Sequence, residues 1–286
     1  MDLTDLATIR SLLDRHGVRF SRSMGQNFLC DASVPARIAA AAELDRETGV
    51  LEIGPGLGCL TAELSRRARR VVSVELDETL RPVLAETLDE FDNVELLFAD
   101  ALKLDLDALA ERSFSDCRRA VVCANLPYNI TGPVLTRLAR AKRYAQLTVM
   151  LQREAAQRVC AKENTADYGV FPIELQWHFA PELLFDVPPH CFVPAPKVTS
   201  SVLRLTRRTE PLAPVEDEDR FFALVRAAFR QRRKTLCNAM CGGLGLSREQ
   251  AAAALAGAGL PDQVRGEALS IPQLAALSNA LGPAKP

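Results

Sequence analysis

A chain of 286 residues with 48% hydrophobic and 25% charged side chains has the make-up of a globular protein, with room for one large domain and a small one. Its 35 Lys and Arg nearly cancel 36 Asp and Glu, so there is no overall field to attract nucleic acid, and any phosphate contact must come from local clusters. No apolar run reaches the length of a membrane span, the opening Met1-Asp2-Leu3-Thr4-Asp5 lacks the basic and apolar regions of a secretion signal, and the eight cysteines form no Cys-x-x-Cys pair. The expectation is a cytoplasmic protein with reduced thiols, no metal and no membrane contact.

Leu3, Leu6, Ile9, Leu12 and Leu13 recur at helical spacing, with Gly17 as the stop. Gly25-Gln26-Asn27-Phe28-Leu29 precedes a second helix that Asp31 or Ser33 can cap; alone, Gln26-Asn27 reads as a turn. Val50-Leu51-Glu52-Ile53 is a short strand running into Gly54-Pro55-Gly56-Leu57-Gly58 and then a helix through Leu60, Leu64 and Ala68. Strand, glycine turn and helix open a nucleotide-binding α/β fold. Cys59 stands where a dinucleotide binder has its third glycine, and no Gly-Lys-Ser/Thr follows, which argues against a P-loop.

Val71-Val72-Ser73-Val74-Glu75 is the next strand, and Glu75 lies about 20 residues beyond the glycine turn, where an acid can accept from a ribose. The plainer reading is a polar strand end beside Asp77, itself a helix cap. The strand at Val94-Glu95-Leu96-Leu97-Phe98 leads to Asp100-Ala101, where Asp100 is suited to accept from an adenine amino group. A fourth strand, Ala120-Val121-Val122-Cys123-Ala124, ends in Asn125-Leu126-Pro127-Tyr128-Asn129-Ile130. Asn125 offers an amide oxygen, Pro127 constrains the Leu126 carbonyl, and Tyr128 offers a flat ring. Together they suit a planar base bearing an amino group, although an isolated Asn-x-Pro-Tyr reads as a turn. Successive strands thus place Gly54, Glu75, Asp100 and Asn125 along one rim.

Thr131 can cap the following helix, with Pro133 in its first turn, and Leu147-Thr148-Val149-Met150-Leu151 is a fifth strand. Residues 168–179 carry no clear period. Residues 183–187 and 201–205 form a hairpin-like strand pair around a Pro-rich loop, 188–196, that holds Phe192. Two prolines and the acidic run Glu216-Asp217-Glu218-Asp219 mark 209–219 as a linker. Domains are therefore expected at 1–208 and 220–286, the second all-helical, with Ser247-Arg248-Glu249-Gln250 as a capping box. Basic residues cluster at Arg66, Arg67, Arg69 and Arg70; at Arg137, Arg140, Lys142 and Arg143; and most densely at Arg226, Arg230, Arg232, Arg233 and Lys234, on a helix suited to phosphates. With no heptad seam, a monomer is expected.

The ordered set Gly25-Gln26-Asn27-Phe28-Leu29, Glu52-Ile53-Gly54-Pro55-Gly56-Leu57-Gly58, Val74-Glu75-Leu76-Asp77, Asp100-Ala101, Asn125-Leu126-Pro127-Tyr128-Asn129-Ile130, Met150-Leu151-Gln152-Arg153-Glu154, Phe192-Val193-Pro194-Ala195-Pro196-Lys197-Val198 and Arg230-Gln231-Arg232-Arg233-Lys234-Thr235-Leu236 resembles the S-adenosylmethionine-dependent methyltransferases. It looks most like the rRNA adenine N6,N6-dimethyltransferases of the KsgA family, over nearly the whole chain. The resemblance implies a Rossmann-like class I methyltransferase sheet, mostly parallel with an antiparallel last strand, and a small C-terminal helical domain. It implies dimethylation of two adjacent adenines near the 3′ end of small-subunit rRNA, late in assembly of the small ribosomal subunit. It places Gln26, Asn27, Leu29, Gly54, Gly56, Glu75, Asp100, Ala101 and Asn125 around S-adenosylmethionine. Asn125, Leu126, Pro127 and Tyr128 would hold the target base, with Phe192 as the wall opposite Tyr128. The related large-subunit enzymes of macrolide resistance are the nearest rival. DNA adenine methyltransferases are disfavoured because Leu126 precedes Pro127, and a non-catalytic assembly partner is disfavoured by the intact motifs.

Overall fold

The computed structural model describes residues 1–18 and 26–282, so Gly25 of the Gln-Asn motif lies outside the described residues. The chain divides into two units, Met1–Gln157 with Pro181–Arg207, and Arg158–Ala180 with Arg208–Pro286. The first opens with α1 (Leu6–Arg15), ended by Gly17 at φ +66°. A short strand β1 (Phe28–Leu29) follows, then α2 (Ser33–Ala41). Then come β2 (Thr48–Ile53), α3 (Cys59–Ser65), β3 (Arg70–Glu75), α4 (Arg81–Thr87), β4 (Val94–Phe98) and α5 (Leu106–Ser113). They are followed by β5 (Arg119–Asn125), α6 (Thr131–Arg140), β6 (Tyr144–Gln152) and α7 (Arg153–Val159).

Beyond α8 (Val170–His178) come β7 (Phe179–Val187), β8 (Phe192–Val193) and β9 (Ser200–Arg207). The main sheet has seven strands in the order β4-β3-β2-β5-β6-β9-β7. Neighbours from β4 to β6 are parallel, and β9 runs antiparallel to β6. This is the expected mostly parallel Rossmann-like sheet. β2 is buried at every position because helices cover both faces of a parallel sheet, which explains its near-continuous apolar run. The loop expected at 188–196 holds strand β8, whose Val193 and Phe192 pair antiparallel with Phe28 and Leu29 of β1. Two-residue strands carry too little periodicity to be read from sequence.

The second unit contains α8, α9 (Glu218–Arg230), α10 (Leu236–Leu244), α11 (Arg248–Gly257) and α12 (Ile271–Ala280). The expected capping box forms at Ser247 and Gln250, and Ser270 with Gln273 makes a second one. The expected boundary needs correction, because Arg158–Ala180 belongs with these helices. Trp177 stacks on Phe221 at 4.3 Å between ring centroids, and its indole N–H donates to Glu218 at 2.9 Å. The Tyr168 hydroxyl donates to the Leu269 carbonyl at 3.0 Å. Residues 168–179, unassigned from their pattern, are mostly α8; Pro172 fits because it sits in the first turn, where backbone N–H groups lack intrahelical partners. The expected linker is not loose either. Ala213 is buried in this unit's core, with Leu212 and Val215 packed against it. Glu218 and Asp219 form the first turn of α9, where acids favour the helix dipole, and Asp217 caps it through the Arg220 N–H at 3.0 Å.

Trp177 is the chain's one tryptophan, so its fluorescence reports on this unit. Phe221→Ala removes a fully buried ring stacked against it. The denaturant transition followed by Trp177 emission should lose about 3–5 kcal/mol of stability. An unchanged midpoint would show that the 158–180 segment does not depend on this packing.

Candidate functional site

β2 and β5 are parallel neighbours, yet the chain leaves β2 for β3 on one side and β5 for β6 on the other. Their carboxyl ends therefore meet at a topological switch point, where the following loops part and leave a crevice. Gly54 follows β2 and Asn125 ends β5, so both motifs open there. Gly54 and Gly56 have φ of +74° and +60°, a backbone region that disfavours side chains. A Cβ on Gly54 would lie 3.3 Å from the Pro127 ring, and one on Gly56 would lie 3.2 Å from the Phe28 ring. The glycine turn is thus pressed against the Asn-Leu-Pro-Tyr segment and against β1. The crevice is a cavity of about 210 Å³ lined by Gln26, Asn27, Leu29, Gly54, Gly56, Glu75, Asp100, Ala101, Asn125, Leu126, Pro127 and Tyr128, among others.

The Leu126 N–H donates to the Met150 carbonyl at 3.0 Å, extending the β5–β6 ladder by one residue before Pro127 ends it. The Pro127 carbonyl accepts from the Ile130 N–H and from the Thr131 hydroxyl, each at 3.2 Å. Thr131 therefore closes this turn and does not cap α6 as expected; Ile130 holds that position without a side-chain bond. The Tyr128 hydroxyl shares a 2.6 Å hydrogen bond with the hydroxyl of Ser200, the first residue of β9.

Glu75 ends β3, and its Oε1 accepts from the Leu76 and Asp77 N–H groups at 2.7 and 2.8 Å. Burial nevertheless pushes its pKa above the usual carboxylate value, the backbone bonds from Asp77, Leu76 and Gly56 only partly opposing it. The Gln26 amide donates to Asp77 at 2.7 Å, so this expected donor-site residue ties the β1 segment to the loop that carries Glu75. Asp77 also caps the short helix Glu78–Leu80, as expected. Asp100 accepts from the Leu102 N–H at 2.9 Å and stays half-buried at the rim.

Phe192 is the expected site residue that the structure sets apart. It is 3% exposed, sits in the core cluster with Val34 and Ile38, and does not line the cavity. Its cross-strand partner Leu29 does line it. Phe192 therefore backs the cavity through β1 instead of forming an open wall opposite Tyr128. A ring between prolines looks like a clamp in sequence, but β8 pairing turns it inward.

In sequence Glu52 is no more than part of the glycine motif, yet it is the most constrained acid here. It is 1% exposed in the cavity lining; its Oε2 accepts from the Thr61 and Ser73 hydroxyls, both at 2.6 Å, and its buried Oε1 has no partner among the described residues. Burial pushes its pKa up to about 7. Two hydroxyl donors without a cation suit a carboxyl that carries its proton below neutrality.

The basic clusters separate by pairing. Arg66 and Arg67 bind Glu63, Arg69 binds Asp116 and Arg70 binds Glu95, so the first cluster is neutralised. In the second, Arg143 pairs with Glu111 and Arg137 donates to the Leu104 carbonyl. In the third, Arg232 donates to the Ala166 and Thr165 carbonyls at 2.7 and 3.3 Å. Arg226, Arg230, Arg233 and Lys234 are exposed and make no ion pair among the described residues. They do not share one helix as expected, because α9 ends at Arg230 and the others lie in the turn before α10.

A crevice at the β2/β5 switch point, between a glycine turn and Asn-Leu-Pro-Tyr, fits one family in sequence as well as in shape. The pattern that describes ribosomal RNA adenine dimethylases matches residues 17–281. The chain belongs to the ribosomal RNA adenine dimethylase family. It is 43% identical over 286 residues to the ribosomal RNA small subunit methyltransferase A of Geobacillus thermodenitrificans, covering 98% of each chain. It is 42% identical to the protein of that name from Streptococcus equi subsp. zooepidemicus, again over 98% of each. Among solved structures, the 23S rRNA methyltransferase ErmE shares 30% identity at a TM-score of 0.68, covering 89% of this chain and 99% of that one. A dimethyladenosine transferase from Plasmodium falciparum has the same fold at a TM-score of 0.74 and 22% identity, covering 87% and 95%. The chain is accordingly an adenine dimethyltransferase of the rRNA type, and fold and family both imply S-adenosylmethionine dependence. The cavity suits such a donor: positive-φ glycines clear space, Glu75 and Asp100 offer carboxylates, and Leu57, Leu76 and Ala101 offer apolar walls.

Glu52 holds its proton more tightly folded than unfolded. Its contribution to stability is full below pH 4.5 and declines as pH rises towards its folded pKa of about 7. Relative to Glu52→Gln, wild-type protein should lose on the order of 3 kcal/mol across that window. Thermal melts of both proteins between pH 4.5 and 8 measure this, and parallel curves would show that Glu52 ionises as freely folded as unfolded.

Proposed function

We propose that the protein methylates N6 of two adjacent adenines near the 3′ end of small-subunit rRNA, giving N6,N6-dimethyladenosine during late assembly of the small ribosomal subunit. The observation that carries this reading is the contact between the glycine turn and the Asn-Leu-Pro-Tyr segment at one switch point, with Gly54 against Pro127. A donor loop and an acceptor motif that touch can bring two substrates into one crevice, and positioning is most of what a methyl transfer requires. The small-subunit assignment is supported by relatives of that name at 43% and 42% identity over almost the whole chain.

On this reading the bound donor supplies a methyl group made electrophilic by its sulfonium sulfur. Asn27, Leu29, Gly54 and Gly56 line its place, Glu75 accepts from its ribose, and Asp100 with Ala101 receives its adenine. The acceptor nitrogen is a weak nucleophile, because its lone pair is delocalised into the adenine ring. Hydrogen bonds from its two N–H groups to the Asn125 side-chain oxygen and the Leu126 carbonyl favour a pyramidal nitrogen and stabilise the positive charge that grows there. Tyr128 offers its ring to the face of the extruded base. No strong base stands at this motif, so the N6 proton leaves to water. The free cations Arg226, Arg230, Arg233 and Lys234 contact RNA phosphates.

Nucleoside mass spectrometry after incubation with S-adenosylmethionine and undermethylated small subunits, with large-subunit RNA in parallel, tests the substrate. N6,N6-dimethyladenosine should appear in small-subunit RNA alone; product confined to large-subunit RNA would favour the activity named for the ErmE relative. Asn125→Ala should lower turnover by roughly 10²-fold or more with the donor still bound, as for loss of one preorganised polar group. Glu75→Ala should weaken donor binding in calorimetry, and an unaltered Kd would contradict its ribose role. Replacing Arg226, Arg230, Arg233 and Lys234 with Gln should weaken RNA binding and flatten its salt dependence without moving the donor Kd.

A further inference from the structure

Of the two rings expected to hold the base, Tyr128 lines the cavity and Phe192 is packed away from it. Orientation of a stacked base therefore rests on how firmly Tyr128 is held. Its hydroxyl is anchored at 2.6 Å to Ser200, which is 0% exposed and opposite Gln152 in the β6–β9 ladder. A buried hydroxyl at the start of a strand flanked on both sides is a fixed point, and the phenol bonded to it keeps one ring plane. The partner is not in the Asn-Leu-Pro-Tyr segment at all; it comes from a strand 72 residues later in the chain.

We propose that Ser200 is a positioning residue that acts through Tyr128, and that its weight falls on the second of the two methyl transfers. The inference rests on the acceptor reading given above. Each transfer forms an N6–carbon bond, breaks the sulfur–carbon bond with its electron pair left on sulfur, and releases one N6 proton to water. Before the first transfer N6 has two N–H groups, one for Asn125 and one for the Leu126 carbonyl. Before the second it has one N–H and a methyl group, so one of those hydrogen bonds is gone. Stacking on a fixed ring must then supply a larger share of the orientation. Loosening Tyr128 leaves the first transfer the better supported of the two, and a monomethylated base leaves before it is methylated again.

The test uses full-length protein, S-adenosylmethionine and undermethylated small subunits, with N6-methyladenosine and N6,N6-dimethyladenosine quantified separately at early times. Ser200→Ala should raise the monomethyl-to-dimethyl ratio roughly five-fold, the worth of one ordinary hydrogen bond, while the donor Kd stays unchanged. Tyr128→Phe keeps the ring and removes the same bond from its other end, so it should shift the ratio alike and serves if Ser200→Ala folds poorly. The double variant should be no worse than Tyr128→Phe, because both changes remove one interaction. A wild-type ratio in both single variants, or a ratio that moves only together with the donor Kd, overturns the role of Ser200. Should wild-type protein yield no dimethyladenosine, the acceptor reading itself falls and takes this inference with it.

Discussion

Everything at the crevice depends on how closely two chain reversals approach each other. β2 and β5 lie side by side, and the turns leaving them can diverge only if the first carries no side chain where the second begins. Gly54 meets that demand: the Pro127 ring stands 3.3 Å from where its Cβ would be. Its N–H is held by the Val74 carbonyl at 2.9 Å, and the Ala99 N–H is held by the Glu75 carbonyl at 2.8 Å, so the rim is laced from β2 across β3 to the end of β4. Rigid spacing of this kind favours a reaction whose demand is alignment of two partners, because little ordering is left to be done when they bind.

The same rim concentrates acids. Glu52, Glu75 and Asp100 line the cavity, Glu52 almost fully buried, and Asp77 is buried beside Glu75. A cationic donor is matched by such surroundings, whereas an RNA phosphate is repelled by them, so charge alone favours entry of a base over entry of the backbone. Many arginines are spent on local carboxylates or carbonyls, whereas Arg226, Arg230, Arg233 and Lys234 of the second unit are exposed without an ion pair among the described residues.

Much of this was legible in the sequence. The strands before Gly54, Glu75 and Asn125 are largely buried apolar runs, the edge strand before Asp100 is half-buried, and their carboxyl ends carry the polar groups, so order and spacing sufficed. What stayed hidden depends on contacts between distant residues. Ser200 reads as an unremarkable serine among others until Tyr128 is brought to it. Gln26 offers no sign that it will bind Asp77, and Phe192 between prolines gives no hint that β8 turns its ring into the core. Sequence order puts Arg158–Ala180 with the sheet domain, yet Trp177 and Tyr168 find their partners in the helical unit far along the chain. Charge clusters look alike in sequence, and only folding tells which arginines have been neutralised.

That neutralisation bears on how the molecule moves among RNAs. Ribosomal RNA presents phosphates everywhere, and a protein covered with unpaired cations would adhere to all of them, releasing counterions at each contact. Here the Arg66–Arg70 group is tied to acids, whereas Arg226, Arg230, Arg233 and Lys234 make no ion pair among the described residues. An arginine held by a carboxylate releases fewer counterions on meeting a phosphate, so tying Arg66, Arg67, Arg69 and Arg70 to acids weakens adhesion to arbitrary RNA.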